Sequence, residues 1–254
     1  MTSAFDSVAP DFERFRALPA GVPQAIRSAI HAVARVPSPA SVLDLGAGTG
    51  RFGKAFIDAG DSYTGVDTSL AMLREFKASA GGGFLAQADG RQLPFHNGVF
   101  DVVLLLHVLT GADDPQAMIR EVQRVCRSGG VVAVGKTVSS ESGIDAQLKH
   151  QLKLILEELG VSWHRPQKSY RESLSLLDSF AARHVHSQAA SWNRTATPRE
   201  FFMRHRSGAR FAALPPSIQE QAFQKLSAWA EKTFASLDKE FNEQRSFELE
   251  IFEL

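Results

Sequence analysis

Through the first half of the chain two rhythms of apolar residues alternate. Short apolar runs (Ser41–Leu45, Ser62–Asp67, Phe84–Asp89, Val99–Leu106 and Val131–Lys136) read as strands. Between them apolar residues recur every three or four positions, which predicts helices over Gly21–Val36 and Arg51–Ala59. A third helix carries Met72, Leu73 and Phe76, and a fourth opens at Asp114-Pro115 and runs to about Arg127. Val99–Leu106 is apolar on both faces except at Asp101, as expected at the centre of a parallel sheet. Five strands alternating with helices imply an α/β, doubly wound sheet with right-handed crossovers.

The pattern changes after Ser139. Helical spacing covers Ile144–Gly160 and Tyr170–Ala182, separated by the aromatic and basic loop Val161–Pro166. Val185–Trp192 reads as a strand, Thr197-Pro198-Arg199-Glu200 as a helix start, and Pro216–Asp238 as a long helix. Arg245–Phe252 alternates apolar and polar residues, the mark of a half-buried antiparallel strand. At the other end, residues 1–20 set Phe5, Phe12 and Phe15 on a short charged arm, which serves either as a packing helix or as a lid over a pocket.

Ligands in such sheets bind at the carboxyl ends of strands, where Gly46–Gly50, Asp67, Asp89 and His107 all fall. Three glycines at alternate positions, Gly46, Gly48 and Gly50, form a tight turn that a ligand can approach closely. The following helix aims its N-terminal N–H groups at that turn. Asp44 stands inside the first strand between Leu43 and Leu45, where an ionised carboxylate is costly unless satisfied. An acid there points to a ligand ammonium. Asp67, 17 positions after Gly50, has the spacing of a carboxylate that reaches ribose hydroxyls.

Composition narrows the partners. Lysine plus arginine equals aspartate plus glutamate at 28 each, so no global field draws in nucleic acid. The run Arg194, Arg199, Arg204, Arg206 and Arg210 is locally basic but contains Glu200. Cys126 is the single cysteine, which excludes an intrachain disulfide and reads as a buried structural thiol. His184 and His186 share a strand face without an identifiable third ligand, so no metal site is expected. There is neither a secretory signal pattern nor a run near the ~18 apolar residues of a membrane span, so a cytoplasmic protein without membrane association is expected, as monomer or homodimer.

Four separated pieces, in order, resemble the class I S-adenosylmethionine-dependent methyltransferases of the type 11 group, which includes quinone-biosynthesis C-methyltransferases. Asp44-Leu45-Gly46-Ala47-Gly48-Thr49-Gly50 is similar to the first motif, and Gly65-Val66-Asp67-Thr68-Ser69 to the ribose-binding end of the second strand. Ala88-Asp89, Leu93-Pro94-Phe95 and Phe100-Asp101-Val102-Val103 resemble the adenine-side loop and fourth strand. Arg120–Gly130 resembles the helix and turn before strand five, with Ser128 where the family often has proline.

The resemblance implies a seven-stranded, mostly parallel sheet of Rossmann-like methyltransferase type. A helical cap would follow strand five and an antiparallel hairpin would end the chain. Residues 1–138 would form the arm and cofactor-binding core, 139–182 a cap over the substrate pocket, and 183–254 the last two strands and long helix of one structural domain. S-adenosyl-L-methionine is the implied cofactor and S-adenosyl-L-homocysteine the product. Gly46, Ala47, Gly48 and Gly50 would line its methionine portion, Asp44 its ammonium and Asp67 its ribose. Asp89 would accept from the adenine amino group while the backbone of Gly90 and Arg91 reads the ring, with Thr68, Met72 and His107 completing the contacts. A base, where the acceptor needs one, would come from His107, His164 or Tyr170. Phe5, Phe12, Trp163, His164 and Tyr170 are the expected substrate-pocket residues; the cap aromatics Trp163, Tyr170, Trp192 and Phe201 suit either a small, partly apolar acceptor or the cap's own core. Three rivals are a methyltransferase acting on tRNA or protein, a non-catalytic cofactor-binding protein, and an NAD(P)-dependent oxidoreductase. Asp44, Asp89 and the lack of a tyrosine–lysine pair at helical spacing disfavour the last.

Overall fold

A computed structural model describes residues 5, 6, 8–109, 112, 114–163 and 167–254. Among these, seven strands form one sheet: β1 (Ser41–Leu45), β2 (Ser62–Asp67), β3 (Phe84–Gln87), β4 (Phe100–Leu106), β5 (Cys126–Ser139), β6 (Arg183–Ala196) and β7 (Phe241–Glu253), in the order β3-β2-β1-β4-β5-β7-β6. The first five pair in parallel and β7 is antiparallel to both β5 and β6. The order reverses between β1 and β4, which opens a crevice at their carboxyl ends.

Every residue of β4 is buried, because helices cover both faces of the strand. On one face lie α1 (Val22–Val33), α2 (Gly53–Asp58) and Phe76 of α3 (Leu70–Ala80), packed on Val42, Val102 and Leu104. On the other lie α4 (Pro115–Val125) and α6 (Gln167–Phe180), packed on Leu43, Val103 and Leu105. The starts of the helices are set locally. Ser69 accepts from the Met72 N–H, and Asp114 accepts from Ala117 N–H with Pro115 in the first turn.

A third apolar cluster lies at one end of the β6–β7 pair, which contributes Ala196 and Phe241 to it. It joins α5 (Ile144–Glu158), α7 (Pro198–Arg206), α8 (Ala209–Ala212) and α9 (Pro216–Phe234) through Leu148, Leu152, Phe201, Phe211 and Leu226. Three strands run longer than the apolar pattern predicts. Phe100 pairs with Cys126, and Gly129 and Gly130 exchange hydrogen bonds with Leu254, so β5 begins before the Gly-Gly turn. The β6–β7 ladder runs from Arg183–Glu253 to Ala196–Phe241 with one bulge between Gln188 and Ala190, carried by cross-strand backbone pairing through polar stretches such as Asn242-Glu243-Gln244. The first helix-like arm is two single 3-10 turns, Ala9–Asp11 and Glu13–Phe15.

Candidate active site

A cavity of about 300 Å³ lies at the carboxyl ends of β1, β2 and β4. Its floor is the glycine turn. Gly46 has φ 72°, and a Cβ there would come within 2.9 Å of the Val108 side chain, so only glycine leaves the passage open. Gly50 (φ 87°) instead faces the core, where a Cβ would fall 2.3 Å from the Phe76 ring. It shapes the turn and does not line the cavity.

Asp67 closes one end. Its two oxygens accept from the Gly48 N–H (2.9 Å) and the Ser69 N–H (2.8 Å). Those bonds aim the carboxylate and leave each oxygen with further acceptor capacity. Burial raises its pKa, opposed by these backbone bonds. Thr68, Met72, Asp89, Gly90 and Arg91 continue the wall. The Asp89 carboxylate is gripped by Arg91, with Nη2 at 2.6 Å and the Arg91 N–H at 2.9 Å, which holds its pKa below the usual range.

His107 marks the opposite end, just past β4, with φ 64°. Its ring stacks on Phe52 (5.9 Å between centroids) and meets the edge of Phe247 (5.7 Å), while Nε2 lies 3.2 Å from Thr137 Oγ1. The ring lines the cavity wall and stays open to solvent there. Burial, with Arg51 adding positive charge, lowers its pKa to about 4, so the imidazole is neutral near pH 7. The remaining wall comes from the N-terminal arm, which supplies Phe5, Phe12 and Glu13.

Several sequence-based expectations are corrected. Asp44 does not line the cavity. It is 1% exposed, and its carboxylate accepts from the Tyr63 hydroxyl at 2.7 Å inside the core. Burial pushes its pKa up to about 7, and the Tyr63 hydroxyl offsets part of the cost of the buried acid. No described residue of 139–182 reaches the cavity; α5 packs into the third apolar cluster and α6 onto the sheet face. Trp163 packs against Phe211 and beneath Arg210, Phe201 is core, and Trp192 packs against the sheet cluster. Tyr170 lies under the Lys136 ammonium, with its pKa raised to about 12 by burial and Glu250, and is neither a cavity residue nor a base there. His164 lies outside the described residues.

Of the aromatic substrate-pocket residues, the structure gathers Phe5 and Phe12 at the cavity and adds Phe52. It also adds Glu13, Thr49 and Arg51, which the sequence reading did not single out. For Thr49 and Arg51 a signal existed, since both belong to the glycine turn and the entry to its helix. Glu13 carried none. His184 and His186 pair with Glu250 (2.9 and 3.1 Å) across β6 and β7, and among the described residues no acid–histidine group is arranged to hold a metal.

Residues 43–134 match the family described as "Methyltransferase domain". The chain is 33% identical over 143 residues to an uncharacterized methyltransferase of Mycobacterium sp. (strain JLS), covering 54% of this chain and 57% of that protein. It is 30% identical over 135 residues to a demethylmenaquinone methyltransferase of Streptomyces griseus, covering 53% and 59%. It therefore spans little more than half the length of these curated relatives. The solved YcgJ protein of Bacillus subtilis superposes with a TM-score of 0.57 at 19% identity, over 91% of this chain and 98% of that one, a likeness of fold.

Proposed function

We propose that this chain is a class I S-adenosylmethionine-dependent methyltransferase, as the match of residues 43–134 supports, and that it transfers a methyl group to a small, partly apolar acceptor bound in the cavity between His107 and the N-terminal arm. The carrying observation is the pairing of a bare glycine floor with a carboxylate, Asp67, whose orientation is set by two backbone N–H groups. The residues present fit the implied cofactor. Asp67 would hold the ribose hydroxyls, Gly46, Ala47 and Gly48 would flank the methionine portion, and Asp89, Gly90 and Arg91 would border the adenine.

When bound, that cofactor supplies an electrophilic methyl group on a sulfonium. The protein's own task is alignment and exclusion of water, because the displacement develops little new charge that needs stabilising. Phe5, Phe12 and Phe52 keep the acceptor end apolar. His107, neutral and braced by Thr137 and two phenylalanine rings, can orient an acceptor hydroxyl or amine by hydrogen bonding. With its pKa near 4 it is a weak proton acceptor, so it suits acceptors that lose their proton readily.

The arginine run offers no support for a nucleic-acid acceptor. Arg194 pairs with Glu200 (3.2 Å), Arg199 with Asp238 (2.6 Å) and Arg204 with Asp145 (2.6 Å), while Arg206 and Arg210 lie over Phe223 and Trp163. A menaquinone precursor, the kind of compound for which the Streptomyces relative is named, illustrates the small, apolar acceptor class.

Calorimetry with S-adenosylhomocysteine and with NAD tests the cofactor reading. The homocysteine compound should bind and NAD should not. Asp67→Ala should weaken binding by about 1–3 kcal/mol through loss of charge-assisted hydrogen bonds. Undiminished affinity in that variant would remove Asp67 from the ribose site.

A further inference from the structure

Glu13 belongs to the arm, yet its carboxylate lies against the glycine turn as a ligand's would. Thr49 Oγ1 donates to Oε1 at 2.6 Å, Arg51 Nη2 donates to the same oxygen at 2.9 Å, and Arg51 Nε reaches Oε2 at 3.3 Å. Two donors of the guanidinium fork and one hydroxyl thus converge on one carboxylate, the arrangement that recognises this group side-on. We propose that Thr49 and Arg51 form a carboxylate-recognition subsite of the cavity, and that Glu13 fills it in place of a ligand carboxylate. The proposal builds on the cofactor-and-acceptor reading of the cavity given above.

Three observations support it. Thr49 is 7% exposed and the Arg51 side chain 15%, so the donors are built into the wall. The Glu13 side chain, by contrast, is 37% exposed and sits on a single 3-10 turn. Among the described residues, Glu13 is the only carboxylate in ion-pair distance of Arg51, so its departure would leave a half-buried cation that favours a replacement anion. Finally, Thr49, Arg51 and Glu13 all line the same cavity as Asp67 and His107.

Only the Glu13 side chain has to swing out, because the arm is held at other points. Its far end is fastened to the α7 terminus, where the Arg16 guanidinium donates to Ser207 Oγ (2.6 Å) and to the Arg204 carbonyl (2.5 Å). Phe12 lies beneath both Arg16 (4.6 Å) and Arg51 (5.3 Å), and Phe5 meets Phe12 edge-on at 6.1 Å. A ligand carboxylate that displaced Glu13 would take over the Thr49 and Arg51 donors, while Arg16, the Ser69–Asp6 hydrogen bond (2.6 Å) and Val8 and Ala9 packed with Met72 keep the rest of the arm in place. Wild-type affinity for such a ligand is reduced by the fraction of molecules in which Glu13 holds the subsite.

A carboxylate can come from the amino-acid tail of the cofactor or from the acceptor. Calorimetry on the full chain, its Glu13→Gln variant and its Arg51→Met variant separates these, with circular dichroism confirming each fold. The probes are S-adenosylhomocysteine, which carries the tail, and 5′-methylthioadenosine, which lacks it. If the tail uses the subsite, Glu13→Gln binds S-adenosylhomocysteine at least about threefold tighter and Arg51→Met about tenfold weaker, with methylthioadenosine unchanged. If the acceptor uses it, both nucleosides are indifferent to the variants. Phenylacetate, added to protein saturated with S-adenosylhomocysteine, then binds Glu13→Gln tighter than wild type, and neutral phenylacetamide does not. Should Glu13→Gln bind every carboxylate equally or more weakly, the proposal is overturned and Glu13 is a clamp. Should neither nucleoside bind any of the three proteins, the cofactor reading fails, and the phenylacetate comparison made without nucleoside still decides the subsite.

Discussion

A carboxyl group in the middle of a parallel strand invites a functional explanation, and Asp44 shows how a local partner can replace one. Tyr63, one strand away, donates its hydroxyl to Asp44, and its own pKa is pushed well above the usual value by burial and by that carboxylate. Tyr63 therefore remains a donor at any ordinary pH. Asp44 titrates near 7 because burial disfavours its charge, the Tyr63 bond only partly compensates, and Asp67 adds a like charge. The sign of the linkage follows. The native state holds a proton that the unfolded chain releases above the ordinary carboxyl pKa of 3.8. Stability is thus greatest below that value and falls as pH rises through about 7, by up to roughly 4 kcal/mol. Asp44→Asn keeps an acceptor for Tyr63 and removes the titration. Denaturant melts at pH 5 and pH 8 should show the variant gaining stability relative to wild type at the higher pH. A constant offset would mean that Asp44 does not titrate in that window. S-adenosylhomocysteine affinity should change by less than about threefold in this variant, because the carboxyl group does not reach the cavity, in contrast to Asp67→Ala.

Among the elements, α2 makes the tightest join between turn and core. Gly53 opens the helix where a Cβ would lie 2.3 Å from the Tyr63 hydroxyl and 2.6 Å from the Phe76 ring. Alanine gains about 1 kcal/mol of helix propensity over glycine, but overpacking against two buried rings costs about 1–3 kcal/mol. Phe76 is fully buried and Tyr63 is tied to Asp44, so neither ring can retreat. Gly53→Ala should therefore lose up to about 2 kcal/mol net in denaturant melts; a gain in stability would mean that the rings can repack. Elements of this kind were legible in the sequence as far as their signals were local. The strands β1 to β5, the helix start at Asp114-Pro115 and the glycine turn each announce themselves within a few residues. The same holds for Asp67 and His107, which follow directly from strand ends. What was not legible depends on partners far along the chain. Nothing near Asp44 identifies Tyr63, nothing near Glu13 identifies Thr49 and Arg51, and α5 gives no sign of whether its apolar face meets the cavity or α9. Amphipathic periodicity states that a face is buried, and not against what.

At the scale of the whole molecule, α7 lies between two parts of the chain. One is the third apolar cluster, joined through a buried ionic group. Asp145 of α5 accepts from Arg204 of α7 at 2.6 Å and from Arg245 of β7 at 2.5 Å, and Glu243 accepts from Arg245 and from the Asp145 N–H. Burial alone would raise the pKa of Asp145, but Arg204 and Arg245 outweigh it and hold the group below the usual carboxyl range. The other part is the N-terminal arm, whose Arg16 is fastened to the last turn of the same helix. Removing Asp145 would leave the Arg204 guanidinium without its carboxylate, with little access to water, and Arg245 with Glu243 alone, a break in a buried pair that typically costs about 3–5 kcal/mol. Asp145→Ala should thus lower global stability by that order, as read from denaturant melts. Because α7 would loosen first, amide hydrogen exchange should also speed up in the arm, over residues 8–16, although none of these touches Asp145. Faster exchange in α7 without a change in the arm would show that the contacts with Thr49, Arg51, Ser69 and Met72 hold the arm independently of α7.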